Sequence, residues 1–119
     1  MIFVGTDIVP IIRIENLIKE KGKRFLNHIY TKLEQNVCNA KKSPFIHYSG
    51  KFAAKEAVKK ALLSSKLTTD IPLVSIEIQN DDDGTPFVHI PQESIKYEQL
   101  QISISHAGEY ATATAILEL

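Results

Sequence analysis

The chain has 119 residues, 44% hydrophobic and 24% charged, ordinary values for one soluble globular domain. Its 14 Lys and Arg cancel its 14 Asp and Glu, so no global field draws it to nucleic acid or to an anionic membrane. Cys38 stands alone, which excludes an intrachain disulfide and suits a reducing cytoplasm. No apolar run approaches the ~20 residues of a membrane span. The apolar N-terminus lacks a basic leader and carries Asp7 in its middle, so it reads as a buried strand rather than a signal peptide.

Ile2 to Val9 is rich in β-branched residues and predicts a first strand, closed by Pro10. From Arg13 to Tyr30 the residues Ile14, Leu17, Ile18, Phe25, Leu26 and Ile29 recur at helical spacing, and Gly22 divides the stretch into two helices. Thr31 and Glu34 form a capping-box pattern that opens a short helix. Lys41, Lys42, Ser43 and Pro44 read as a basic loop.

Ser49 to Leu63 is the strongest helix. Ala53, Ala54, Ala57, Val58, Ala61 and Leu62 make one apolar stripe, and Lys51, Phe52, Lys55, Glu56, Lys59 and Lys60 fall on the opposite side. The small alanines imply close packing against a sheet. Leu73 to Gln79 alternates as a strand, Asp82 to Pro86 is a turn signal, and Phe87 to Ile90 returns as the paired strand. Gln99 to Ser105 is a further strand and His106 to Glu109 a turn. In the last strand, Tyr110 to Leu117, alternating Thr and Ala imply one tightly packed face. The expected fold is α+β, a single domain over residues 1–119 with an antiparallel sheet packed against a long helix.

Three segments interrupt apolar elements with polar groups. Asp7 lies inside an apolar strand, where a carboxylate must find a partner. That partner is either an Arg or backbone N–H groups, a structural role, or a bound cation. Glu56 and Lys60 are spaced i, i+4, which alone predicts a solvated ion pair. Yet Lys51, Lys55, Lys59 and Lys60 surround that single Glu, which is the composition of a phosphate site. Mg²⁺ takes one or two carboxylates plus phosphate oxygens, and Asp7 with Glu56 supplies that number. Ser105 and His106 close a strand and can point into a cleft, but no nucleophile elbow and no local acid accompany them. Cys38 has no catalytic context, and His28, His47, His89 and His106 show no zinc-ligand spacing.

Together these segments resemble the holo-acyl-carrier-protein synthases of the phosphopantetheinyl transferase superfamily. The resemblance runs from Gly5-Thr6-Asp7-Ile8-Val9 with Arg13-Ile14, through Phe52-Ala53-Ala54-Lys55-Glu56-Ala57 with Lys60-Ala61-Leu62, to Ile104-Ser105-His106 with Tyr110-Ala111. The turn Asp83-Gly84-Thr85-Pro86 resembles the family's Asn-Gly-Lys-Pro loop. The resemblance implies an enzyme that moves phosphopantetheine from coenzyme A to a serine of apo-acyl carrier protein and releases adenosine 3′,5′-bisphosphate. It implies a homotrimer with active sites between subunits. Asp7 and Glu56 would hold Mg²⁺, Glu56 and Lys60 would act in catalysis, and Lys51, Lys55, Lys60, Gly84, Pro86, Ser105 and His106 would bind coenzyme A. Arg13 and Arg24 would meet the acidic carrier protein. The chain departs from the family's pattern where Lys51 replaces Arg, where Thr85 replaces Lys, and where Leu63-Ser64-Ser65-Lys66 replaces Gly-Thr-Gly. Those departures define the rival reading, a family member that binds coenzyme A or carrier protein without catalysis.

Overall fold

Ile2–Pro10 forms strand β1, and the chain turns at Pro10 directly into helix α1, Ile11–Lys21. Gly22, at φ 57°, ends α1 and starts α2, Lys23–Ile29, in a backbone conformation that favours glycine. Thr31 caps α3, Lys32–Asn39, by a full capping box: its hydroxyl accepts the Glu34 N–H while the Glu34 carboxylate accepts the Thr31 N–H. Helix α4 runs from Pro44 to Ser65, five residues earlier than the alanine pattern predicts, with Pro44 in the first turn, where a missing N–H costs nothing. The computed structural model describes all residues, 1–119.

After α4 the chain differs from the sequence reading at the start of β2 and at the end of β4. Leu73–Ser75 is a 3₁₀ turn, and strand β2 is only Glu77–Asn80. It pairs antiparallel with β3, Pro86–His89, across the Asp-rich turn. Strand β4, Gln99–Ala107, includes His106, and the turn to β5, Tyr110–Glu118, is the two residues Gly108-Glu109. The main sheet has the order β1-β5-β4, all antiparallel, and the β2–β3 hairpin stands apart from it. The architecture is α+β, a sheet against a long helix.

The face that β5 turns to α4 is Ala111, Ala113, Ala115 and Leu117, all buried. From α4 come Ala53, Ala54, Ala57 and Ala61, also buried. With so little side chain between them, helix and sheet close to backbone contact at Gly5, where an added Cβ would lie 1.8 Å from the Ala57 carbonyl oxygen. The opposite sheet face is uncovered, and Ile2, Val4, Ile8 and Ile116 stand exposed on it. No helix is long and apolar enough to cross a membrane. Because the obstacle at Gly5 is backbone, Gly5→Ala is expected to destabilise the fold by ~3 kcal/mol or more. Urea unfolding reads this, and an unchanged midpoint would show that α4 can move off the sheet at no cost.

Candidate active site

The tight seat of α4 on β1 sets the first half of the site. Asp7 lies opposite Ala113, on the helix-facing side of the sheet, and its side chain is 17% exposed. Lys60 Nζ donates to the Thr6 carbonyl at 2.8 Å and to Asp7 Oδ1 at 3.2 Å. The i, i+4 pairing of Lys60 with Glu56 therefore gives way to a tertiary one. Glu56, half-buried one turn earlier on α4, takes part in none of the chain's four ion pairs. Another turn back is Phe52, whose ring lies under the Arg13 guanidinium at 5.9 Å. Arg13, Phe52, Glu56, Lys60 and Asp7 thus follow one edge where α1, β1 and α4 meet.

The donor set of this edge fits Mg²⁺. It offers two carboxylates, hard oxygen donors, of which Glu56 has no protein cation. No group of three His, Cys, Asp or Glu side chains gathers anywhere in the chain. Mg²⁺ tolerates such a sparse set, because it keeps waters and takes phosphate oxygens.

The second half is a cleft of about 540 Å³ between the start of α4, the α3–α4 loop, the β2–β3 turn and the end of β4. Lys51, Gly84, Pro86 and His106 line it together. Ile104 forms part of its floor, where Gly50 lets α4 approach β4 closely: a Cβ there would lie 3.0 Å from the Ile104 side chain. Ile104, Ala113 and Asp7 share one rung of the sheet. Asp7 is therefore two strand spacings, roughly 10 Å, from the cleft floor. An elongated ligand lying in the cleft can reach the carboxylate edge.

The 4′-phosphopantetheinyl transferase superfamily model matches residues 3–115. The chain belongs to this superfamily. A holo-[acyl-carrier-protein] synthase from Protochlamydia amoebophila is 45% identical over 116 residues, covering 95% of this chain and 94% of the relative. The crystal structure of the Bacillus anthracis synthase in complex with CoA (3′,5′-ADP) has a TM-score of 0.80 at 32% identity, covering 98% of this chain and 95% of that one. The Neisseria meningitidis synthase gives 0.86 at 28% identity, with both chains fully covered.

In this transferase, two of the lysines on α4, Lys51 and Lys55, are buried rather than turned to solvent as the helical pattern suggests. Lys55 is fully buried; its ammonium meets Glu34 at 2.6 Å and donates to the carbonyls of Leu73 and Ile76. The phosphate-binding role expected for Lys55 is therefore corrected: it is an internal cation with no free hydrogen-bond capacity, since an ammonium has three donors. Burial pulls its pKa below the ordinary lysine value, and the Glu34 carboxylate opposes that shift. Lys51 lines the cleft, but its ammonium donates to the Ile78 carbonyl at 3.1 Å and to Asn80 Oδ1 at 3.4 Å. Burial lowers its pKa as well.

Ser105 parts from His106. Strand side chains alternate, so while His106 reaches the cleft, Ser105 points to the exposed sheet face with Thr112 and Ile8. Within one chain Ser105 lines no part of the cleft. Arg24 lies in a separate hollow of about 260 Å³ with Lys21, Phe25 and His28. Cys38 is buried, and burial pushes its thiol up to about 11, away from thiolate chemistry.

Sequence reasoning missed Glu34. Its Oε2 accepts the Ile78 N–H at 2.7 Å while its other oxygen caps α3 and holds Lys55. The capping pattern announced only the cap on α3. Lys41, His47, Asn80 and Asp81, also lining the cleft, were missed as site residues. Glu34→Gln, which leaves Lys55 buried without its counter-charge, is expected to cost about 3–5 kcal/mol of stability. Urea unfolding at neutral pH checks this, and a loss under 1 kcal/mol would mean that water reaches the pair.

Proposed function

We propose that the chain transfers the phosphopantetheine group of coenzyme A to a serine of apo-acyl carrier protein, with Mg²⁺, and releases adenosine 3′,5′-bisphosphate. The observation that carries this reading is the Asp7–Lys60 pair at 3.2 Å, with Glu56 one helical turn from Lys60 on α4 and in none of the chain's ion pairs. Relatives across nearly the whole chain are holo-[acyl-carrier-protein] synthases, and the neighbours from Bacillus anthracis and Helicobacter pylori are complexes with coenzyme A.

The reaction asks more for charge neutralisation than for covalent help. The carrier serine oxygen bonds to the phosphorus on the pantetheine side of the diphosphate. The bridging P–O bond breaks, and adenosine 3′,5′-bisphosphate leaves with the electron pair. Glu56 takes the serine proton, and Lys60, fixed to β1, stabilises negative charge on the phosphoryl oxygens. Asp7 and Glu56 are the residues that would hold Mg²⁺, whose positive charge lowers the cost of the leaving diphosphate oxygen. Arg13, at the same edge, together with Arg24 in the basic hollow of α1 and α2, would receive the acidic carrier protein and speed the encounter.

The exposed sheet face supports a homotrimer. Ile2, Val4, Ile8 and Ile116 form an apolar patch of the kind that marks an interface. One observation favours the rival, a binding protein without catalysis: the Lys51 ammonium is already engaged by Ile78 and Asn80.

Incubation with apo-carrier protein, coenzyme A and Mg²⁺ should add the mass of phosphopantetheine to the carrier, and no gain in mass would leave the rival standing. Asp7→Ala and Glu56→Ala should each lower kcat/KM by ~100-fold or more, while unfolding midpoints stay near the native value. Separately, Ile8→Glu should convert the trimer to a monomer in sedimentation equilibrium. A variant with unchanged mass would exclude this face as the interface.

A further inference from the structure

Lys60 is tied down twice, to partners of different kinds. Its ammonium donates to the Thr6 carbonyl at 2.8 Å and to Asp7 Oδ1 at 3.2 Å. The Thr6 carbonyl is backbone of β1, which pairs with β5 along its whole length, so it is a fixed anchor. The Asp7 carboxylate is a side chain that can exchange partners. An ammonium has three donors, so one of them remains free for a ligand. The Lys60 side chain is 52% exposed and that of Asp7 17%, so a ligand reaches the cation more readily than the carboxylate it covers. Lys59, next in sequence, pairs with Asp70, and Glu56 pairs with no lysine. One positive charge is therefore already seated on one of the two carboxylates that would hold Mg²⁺.

Resting on the Mg²⁺ reading of Asp7 and Glu56, we propose that Lys60 is an internal stand-in for the metal, holding Asp7 until the diphosphate of coenzyme A draws the ammonium away. In the empty protein a divalent cation gains Asp7 only by displacing Lys60, and it then lies beside an ammonium with no anion between them. Once the diphosphate is present, Lys60 keeps its anchor on Thr6 and turns its other donors to phosphate oxygens, which are strong charged acceptors. Asp7 is released to the metal without Lys60 leaving the site. The converse holds as well. Coenzyme bound without metal takes the counter-charge from Asp7 and leaves a bare carboxylate facing phosphates. Each ligand therefore binds weakly alone and strengthens the other by the same factor. Direct contact between metal and diphosphate adds to that coupling; the share that belongs to Lys60 is the part a substitution there removes.

Thermal unfolding in rising MgCl₂ at fixed ionic strength reads metal binding without turnover, because a ligand of the folded state raises Tm. Without coenzyme A, Lys60→Gln, at an exposed position, should bind Mg²⁺ about tenfold more tightly than the native protein. Adding Asp7→Asn to that variant should remove the gain, which places it at Asp7. Lys60→Arg keeps the charge and forks onto a carboxylate, so it should bind Mg²⁺ no more tightly than the native protein. With coenzyme A present, the native protein should gain more Mg²⁺ affinity than Lys60→Gln does. A Lys60→Gln protein with native or weaker Mg²⁺ affinity, or an equal gain from coenzyme A in both proteins, would overturn the stand-in role and leave the metal site intact. Tighter Mg²⁺ binding by Lys60→Arg would overturn it too, whatever the stability of Lys60→Gln. If no protein of the set binds Mg²⁺ even with coenzyme A, the metal reading falls and this inference with it.

Discussion

The contact on which the rest of the site depends is the backbone approach of α4 to β1 at Gly5. Lys60 can bond the Thr6 carbonyl and the Asp7 carboxylate only because the helix lies this low on the sheet. Alanines on both sides permit it, and Gly50 permits the matching approach to β4 at the other end. Held at both points, α4 crosses the sheet obliquely and acts as a ruler. Gly50, at the cleft, and Glu56, at the carboxylate edge, are separated by six residues of helix, roughly 9 Å. The packing of small residues, which carries no chemistry itself, thereby sets the distance between the part of the site that would hold a nucleotide and the part that would act on it.

The far wall of the cleft is held in another way. An isolated two-stranded hairpin has little stability of its own, and β2–β3 is not continuous with the main sheet. Buried charge secures it. Glu34 accepts the Ile78 N–H, Lys51 donates to the Ile78 carbonyl and to Asn80, and Asn80 in turn donates to the Gly84 carbonyl at 3.0 Å. Lys55 binds the preceding 3₁₀ turn through Leu73 and Ile76. These bonds satisfy the lysines inside the protein, where an unpaired ammonium would be far too costly. The Gly84 turn is thus referenced to the middle of α4, the element that also places Glu56.

This second arrangement explains what the sequence did and did not disclose. The helices, the Thr31–Glu34 cap, the hairpin turn and the alternating Thr and Ala of β5 follow from local periodicity and local hydrogen bonding, and all were legible. Asp7 was legible because a carboxylate in an apolar strand demands an explanation. Lys51 and Lys55 were not, since a helical wheel assigns lysines to solvent, and the groups that cover them come from Glu34 and residues 73–80. Nothing near Lys55 in sequence signals a partner twenty-one positions earlier. The choice of Lys60 between Glu56 and Asp7 was equally hidden, because it depends on the height of the helix above the sheet. The alternation that separates Ser105 from His106 is plain in the sequence, but which of the two faces the cleft is set by the pairing of β4 with β5.

Period-two alternation also couples the active edge to the uncovered face. On β1, Asp7 points to α4 while Thr6 and Ile8 point the other way; on β4, His106 points to the cleft while Ser105 points outward. A partner covering the outer face would therefore press on the same two strands that present Asp7 and His106. Since β1 is an edge strand and α1 leaves it at once with Ile12 and Arg13 exposed, that partner would also stand beside the carboxylate edge. In this arrangement assembly and catalysis would share strands without sharing side chains. Ser105, which lines no part of the cleft in its own chain, would gain a surface to line where a second copy covered this face.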